Sequence, residues 1–163
     1  MKQLLLIRHA KTEQKGYDKD MERELTERGH NDCQIMSGRL KKIGYTPDLV
    51  KSSPSARTRQ TTKNLAKELG WEKEKIVFPD TIYLATHKEL LDEIAGTEKN
   101  VDMLALVGHN PGITEFFNYL GDATIDNMPT CSIGLFQFEI DNWNDIDAHK
   151  GKLIWYSWPK KED

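Results

Sequence analysis

The sequence predicts an α/β protein in which helices cover a mostly parallel sheet. Residues 4–7 and 103–107 are continuous apolar runs, which are typical of strands buried on both faces of a parallel sheet. Residues 48–52 and 75–78 are predicted as two further short strands. Segments with helical periodicity alternate with these strands, and this alternation favours a layered α/β fold. The 163 residues suffice to bury a real core, so we expect one domain over residues 1–163.

The first and third predicted helices each carry a start and a stop signal. Thr26 can cap the first helix, whose apolar residues recur at helical spacing until Gly44 ends it. Thr86 and Glu89 form the pattern of a capping box at the start of the third helix, which Gly96 ends.

The second and fourth helices are each expected to begin with a capping residue followed by proline. Ser53 would cap the second helix, with Pro54 at the first helical position, where the missing N–H costs nothing. Asn110 and Pro111 would play the same parts in the fourth helix. Near the C-terminus, residues 132–140 and 153–158 flank a turn-rich segment, which predicts two antiparallel strands at one sheet edge.

The composition excludes several classes of protein. A net charge of −3 lacks the basic excess of nucleic-acid-binding proteins. Cys33 and Cys131 lie far apart without a C-x-x-C motif, which argues against a disulfide framework or a cysteine-rich zinc site. No apolar run approaches the roughly 20 residues of a membrane span, and the first one is too short for a signal peptide. We therefore expect a cytoplasmic monomer that binds neither nucleic acid nor membranes.

Polar residues suited to phosphate chemistry follow three of the predicted strands. Arg8 and His9 follow the first strand, Arg57 the second, and His109 the strand at 103–107. In an open parallel sheet these strand ends share one edge, where ligands bind. Arginine matches phosphate oxygens in a bidentate fashion, and helix N-termini add N–H donors. One neutral imidazole could then take the phosphoryl group, while a second, protonated, stabilises the developing charge without a metal or cofactor.

Each of these residues also has an ordinary structural interpretation. An Arg-His pair after a strand usually marks only the strand end, His109 could be a capping or core residue, and Arg57 could belong to a solvated helix face. The repetition of one pattern at three strand ends favours a functional site. A metal site on the histidines is disfavoured because no accompanying ligand spacing is present. Three histidines without this context are expected at the surface or in packing: His30, His87 and His149.

Residues 33–39 match C-x5-R, the spacing of cysteine-based phosphatases. That chemistry requires the cysteine in a strand-to-helix phosphate loop with a lowered thiol pKa. Cys33 and Met36 instead lie on the apolar stripe of the first predicted helix. We therefore interpret Cys33 as a packing residue.

Ordered motifs run along nearly the whole chain. They are LIRHA (6–10), RELTERG (23–29), PDLVKSSPSARTRQT (47–61), VGHNPG (107–112), PTCSIG (129–134) and LIWYSWP (153–159). This ordered set resembles the histidine phosphatase (phosphoglycerate mutase-like) superfamily and, within it, the small bacterial phosphohistidine phosphatases of the SixA type.

The resemblance implies a three-layer α/β/α sandwich with the phosphoglycerate mutase-like fold and a metal-independent phosphatase. It implies that His9 is the nucleophile that becomes phosphohistidine, and that Arg8 and Arg57 hold the phosphoryl oxygens. His109 would be the second histidine of the phosphate pocket. Arg23 matches a motif position and is a candidate for substrate binding.

Larger members of the superfamily take a general acid from an inserted segment, which is short here at residues 80–98. Its acidic residues fit no family pattern, so we assign no proton donor among Asp80, Glu89, Asp92, Glu93 and Glu98. The imidazole of a phosphoramidate such as phosphohistidine leaves more easily than an alkoxide. The lack of an assigned proton donor therefore favours phosphohistidine on a partner protein as the substrate. The alternatives are a small-molecule phosphomonoesterase and a non-catalytic module that binds phosphate or a phosphoprotein.

Overall fold

The computed structural model describes residues 1–162, which form a six-stranded sheet with helices on both faces. The strands are β1 (Lys2–Arg8), β2 (Leu49–Ser52), β3 (Ile76–Val77), β4 (Met103–Gly108), β5 (Ile133–Phe138) and β6 (Lys152–Ser157). The helices are α1 (Glu27–Ile43), α2 (Ala56–Leu69), α3 (His87–Ala95) and α4 (Gly112–Leu120). None of the helices in residues 1–162 combines the length and the apolar character needed to cross a lipid bilayer.

The sheet is parallel over its larger part, as the sequence predicts. The strand order is β3-β2-β4-β1-β5-β6, and the first four strands run parallel. β5 pairs antiparallel with β1, and β6 pairs antiparallel with β5, which confirms the predicted antiparallel edge. Arg8 pairs with Gly108, and Ser52 pairs with Val107, so β1, β4 and β2 end together at one edge.

Alternate residues of the central strands feed two separate cores. Leu4 and Leu6 of β1 pack in a cluster with the buried residues of α3 and α4. Leu5 and Ile7 pack in a second cluster with the buried residues of α1 and α2. Because side chains alternate across a strand, the sheet is covered on both faces. This arrangement confirms the α/β/α sandwich.

The first and third helices begin and end as predicted. The Thr26 hydroxyl accepts a hydrogen bond from the Gly29 N–H, and Gly44 ends α1 in the left-handed conformation. Thr86 and Glu89 form a complete capping box at α3.

The predicted starts of the second and fourth helices are wrong. α2 begins at Ala56, and Ser55 rather than Ser53 caps it by accepting a hydrogen bond from the Thr58 N–H. The Ser53 hydroxyl is instead engaged by His109. α4 begins at Gly112 after Pro111, and the Asn110 side chain accepts a hydrogen bond from the Thr114 hydroxyl instead of capping a backbone N–H.

Candidate active site

His9 and His109 face each other beyond the ends of neighbouring strands. Each follows its strand directly, and the register of β1 with β4 places their ring centroids 5.4 Å apart. Hydrogen bonds hold the His9 backbone on two sides, since its N–H donates to the Gly108 carbonyl and its carbonyl accepts from the Cys131 N–H. The sheet therefore fixes the separation of the two imidazoles before any ligand arrives.

The contacts of His9 define which ring nitrogen carries the proton. Its Nδ1 lies 2.8 Å from the Ala10 carbonyl oxygen, and because a carbonyl only accepts, Nδ1 is the donor. Burial lowers the pKa of His9 to about 4; the hydrogen bond to Ala10 opposes the shift, and the charges of Arg8 and Arg57 reinforce it. At neutral pH the ring is uncharged, so Nε2 carries the lone pair that a nucleophile needs.

His109 is held through its other ring nitrogen. Its Nε2 lies 2.7 Å from the Ser53 hydroxyl, while Nδ1 is buried and has no hydrogen-bond partner in residues 1–162. Burial, followed by the charge of Arg57, lowers the pKa of His109 to about 3. The free pocket therefore holds His109 neutral, in contrast to the protonated form expected for the second imidazole. An anion in the pocket would favour the protonated form.

The two predicted phosphate-binding arginines flank the histidine pair. Arg57 lies in the first turn of α2 and is only 2% exposed. Arg8 donates from Nη1 to the Met128 carbonyl at 2.8 Å, and burial lowers its pKa. The Nε atoms of both arginines are buried without a partner among the described residues. Because buried polar atoms are rarely left unpaired, this cluster of orphaned groups is typical of a site that awaits a ligand.

Sequence reasoning missed Asp20, whose carboxylate joins two of the arginines. Oδ2 accepts from Arg57 Nη2 at 2.9 Å and from the Tyr83 hydroxyl at 2.6 Å, and Oδ1 accepts from Arg23 Nε at 3.0 Å. The Asp20 carbonyl accepts a further bond from Arg57 Nη1. Partial burial alone would raise the pKa of Asp20, but the bonds from Tyr83 and Arg57 and the arginine charges lower it to about 2.

Tyr83 was also missed, and it connects Asp20 to the second histidine. Its ring meets that of His109 edge-on, with centroids 5.5 Å apart. Neither residue had a sequence signal of its own. Asp20 lies in a segment predicted as loop, where the structure has a short 3-10 helix (Asp20–Glu22), three residues before Arg23. That acid–arginine spacing was the one available hint.

The predicted site residues and Asp20 surround a single cavity of about 270 Å³. All five predicted site residues line it, and Asp20 is the one carboxylate among its lining residues within residues 1–162. The lining is Arg8, His9, Lys11, Thr12, Gln14, Asp20, Arg23, Arg57, Leu84, His109, Asn110 and Thr130. The excess of cationic groups suits a tetrahedral anion.

Two glycines of the sequence motifs permit close backbone approaches beside the cavity. A Cβ on Gly29 would lie 2.3 Å from the Lys11 carbonyl oxygen, and one on Gly112 would lie 1.9 Å from that of Ala85. Because these positions lack a side chain, the first turn of α1 can lie against Lys11 and the first turn of α4 against Ala85. The motifs at 23–29 and 107–112 therefore have a packing cause as well as a chemical one.

Residues with a predicted structural role lie outside the cavity lining. Cys33 is fully buried in α1, and Arg39 of the same C-x5-R match contacts the C-terminal segment through the Trp158 carbonyl. His30 and His87 make polar contacts with Asn64 and Glu115, and His149 with the Gly121 carbonyl. Across residues 1–162 no group of three or more His, Cys, Asp and Glu side chains is arranged to hold a metal ion.

The chain is similar to one family model and to several curated proteins. Residues 4–78 match the family model of the histidine phosphatase superfamily, branch 1. An uncharacterized chloroplastic protein of Arabidopsis thaliana is 26% identical over 94% of this chain and 74% of its own length. The serine/threonine-protein phosphatase Pgam5 of Drosophila ananassae is 33% identical over 50% of this chain, a match that spans only 27% of Pgam5.

Similar solved structures cover nearly the whole chain. The protein assigned as phosphohistidine phosphatase SixA in Agrobacterium tumefaciens is 27% identical, with a TM-score of 0.81 over 96% of this chain and 97% of that one. The protein histidine phosphatase SixA in complex with tungstate, at 18% identity, shares the fold with a TM-score of 0.82 over 96% and 97% of the two chains. The family match and these neighbours support phosphatase activity. The chain is thus similar to the histidine phosphatase superfamily over residues 4–78, and over nearly its whole length it has the fold of the solved SixA proteins.

Proposed function

We propose that this protein hydrolyses phosphohistidine on a partner protein through a covalent intermediate on His9. One observation carries the proposal: the Nδ1–H of His9 is committed to the Ala10 carbonyl, which leaves Nε2 as the nucleophilic atom in a cavity lined by arginines. The similarity to SixA proteins, which are described as acting on phosphohistidine, supports the choice of substrate.

The proposed reaction has two displacement steps. The His9 Nε2 lone pair forms a bond to phosphorus while the bond from phosphorus to the leaving group breaks and its electron pair leaves with that group. Water then attacks the phosphorus of phospho-His9, which releases inorganic phosphate and restores the neutral ring. Arg8 and Arg57 balance the charge of the phosphoryl oxygens in both steps, so the chemistry is proposed to need no metal ion.

His109 is proposed to respond to the bound phosphoryl group. Its low pKa reflects burial together with neighbouring cations, and a dianion would offset those cations and favour the protonated ring. A protonated His109 would then donate to a phosphoryl oxygen in the transition state. Arg23 lines the same cavity and is proposed to contribute to substrate binding mainly through its charge.

The proposed substrate is carried by a partner protein. A phosphorylated partner protein would present its imidazole at the cavity, and we propose that a monomer of this chain acts on it in the cytoplasm without a cofactor. The partial match to Pgam5 makes phosphoserine and phosphothreonine the protein-borne competitors. A small phosphomonoester is the alternative substrate that is not attached to a protein.

The test compares substrate classes with one enzyme preparation. A protein phosphorylated chemically on histidine, a phosphoserine peptide and p-nitrophenyl phosphate are offered with and without EDTA, and phosphate release is measured. We expect the highest kcat/KM on the phosphohistidine protein, no effect of EDTA, and no turnover by His9→Ala. His30→Ala, which removes an exposed imidazole outside the cavity, should retain full activity.

Each other result would contradict a stated part of the proposal. A preference for p-nitrophenyl phosphate would favour the small-molecule phosphatase, and a preference for the phosphoserine peptide would favour a Pgam5-like specificity. Tight phosphate binding without turnover of any substrate would indicate a binding module.

A further inference from the structure

The Asp20 carboxylate is an anion in a cavity otherwise suited to anions. Its side chain is 43% exposed, and it lies on a 3-10 helix with no buried residue. A carboxylate opposes the binding of a dianion, so its presence among the cavity-lining cations calls for a specific role.

The hydrogen bonds of Asp20 leave acceptor capacity on one oxygen. An ionised carboxylate offers about four acceptor positions. Arg57 and Tyr83 fill those of Oδ2, whereas within residues 1–162 Oδ1 accepts from Arg23 alone. Because the side chain is partly exposed and lines the cavity, Oδ1 has a position left for a donor that enters with the substrate.

Asp20 is poorly suited to protonate a leaving group. The bonds from Tyr83 and Arg57 help hold its pKa at about 2, so the group is ionised at neutral pH. The alcohol of an alkyl phosphomonoester leaves as an alkoxide, which needs a proton that this carboxylate does not carry, and p-nitrophenyl phosphate releases an anionic p-nitrophenolate. An ionised Asp20 therefore repels the developing negative charge of such a leaving group.

A phosphorylated imidazole differs from a phosphomonoester in the charge of its leaving group. When its second ring nitrogen is protonated, the ring is cationic while phosphorus is attached. As the P–N bond breaks, the electron pair returns to the ring, which leaves as neutral imidazole with its N–H retained. No proton transfer is needed, and the cationic ring offers an N–H donor to a carboxylate.

We propose that Asp20 is a specificity-determining residue whose Oδ1 accepts the N–H of the substrate's protonated imidazole, which selects phosphohistidine over phosphomonoesters. This inference rests on the proposed function and assigns the leaving-group side of that site. Arg57, Arg23 and Tyr83 orient the carboxylate, so recognition of the leaving group is tied to the arginine that binds the phosphoryl group.

The test measures the ratio of kcat/KM on the phosphohistidine protein to kcat/KM on p-nitrophenyl phosphate. Asp20→Asn keeps the size of the side chain and removes its charge. We expect kcat/KM on the phosphohistidine protein to fall at least tenfold relative to kcat/KM on p-nitrophenyl phosphate, because a charge-assisted hydrogen bond to the imidazolium is lost. Glu22→Gln removes the same charge from the same exposed 3-10 helix without touching the cavity lining, and its ratio should equal that of the wild type.

The substrate ratio separates selection from simple positioning of Arg57. If Asp20 only positions Arg57, Asp20→Asn lowers both activities in parallel, and the inference is overturned. A rise in phosphohistidine activity would also overturn it, since Asp20 would then be a competing anion. Failure of the wild-type enzyme to hydrolyse phosphohistidine would instead overturn the proposed function, so the two failures are distinguishable.

Discussion

The rings of His9 and His109 lie 5.4 Å apart because Arg8 and Gly108, the residues just before them, are paired in the parallel register of β1 and β4. Neither imidazole depends on a mobile loop for its position. The His9 backbone is hydrogen-bonded to Gly108 at the end of β4, and the His109 side chain contacts Ser53, the residue directly after β2. The three strands that meet at this edge thus each supply a fixed point of the site.

Replacement of Arg57 should remove much of the transition-state stabilisation. Arg57→Ala deletes a buried guanidinium from the cavity, and the loss of one preorganised donor typically costs about 3–4 kcal/mol. We expect kcat/KM to fall by about 10²–10³. The control is Arg59→Ala on the same helix, since the Arg59 guanidinium stacks on the Phe78 ring outside the cavity. An Arg57→Ala variant with a tenth or more of the wild-type activity would show that this arginine is not part of the site.

Stability should fall as the pH drops from 6.5 toward 4. The folded-state pKa values of His9 and His109 lie at about 4 and about 3, below the usual 6.5. In that window the unfolded chain binds more protons than the folded one, so acid favours unfolding. Each histidine contributes at most about 1.4 kcal/mol per pH unit to the slope.

Urea unfolding at pH 7 and pH 5 checks this slope. His109→Gln should flatten the pH dependence of the free energy of unfolding, whereas His30→Gln, at an exposed position, should leave it as in the wild type. An unchanged slope in His109→Gln would mean that the buried ring titrates normally.

Gly112 should not tolerate a side chain. The added methyl group of Gly112→Ala would lie 1.9 Å from the Ala85 carbonyl oxygen, which forces backbone to move. Overpacking of this kind costs about 1–3 kcal/mol. Gly38→Ala, within α1 and with open space around it, should instead stabilise the protein by roughly 0.5–1 kcal/mol. Thermal unfolding of the two variants tests the contrast, and a Tm for Gly112→Ala at or above that of the wild type would contradict it.

Cys33→Ser should change stability but not chemistry. The side chain is fully buried in α1, so a hydroxyl there costs about 1–3 kcal/mol unless it finds a partner. We expect a lower Tm and a kcat per folded molecule close to that of the wild type. Loss of kcat in a folded variant would revive the C-x5-R interpretation.

The strands and their chemistry were predictable because burial leaves a direct trace in sequence. A continuous apolar run such as residues 103–107 marks a strand covered on both faces, and the polar residues directly after it mark the sheet edge. This rule places Arg8, His9 and His109 at that edge, whereas their proposed roles come from the repetition of the pattern and from the family resemblance. Arg57 needed only the short step from β2 into α2.

The contacts around Asp20 were not predictable, because they join segments without periodicity. Asp20 and Tyr83 are 63 residues apart, and each lies at a short 3-10 helix. Ser53 shows the same limit on a smaller scale. Three serines, Ser52, Ser53 and Ser55, precede α2; Ser53 contacts His109, and Ser55 caps the helix.

The proposed mechanism requires a covalent phosphoryl group on His9. The enzyme is mixed with ³²P-labelled phosphohistidine protein, the reaction is quenched with base in the early steady state, and peptides are mapped. We expect a label that is stable to base, lost in acid and located at His9, with none on His9→Ala. Turnover with no labelled enzyme, or with the label on another residue, would contradict the account.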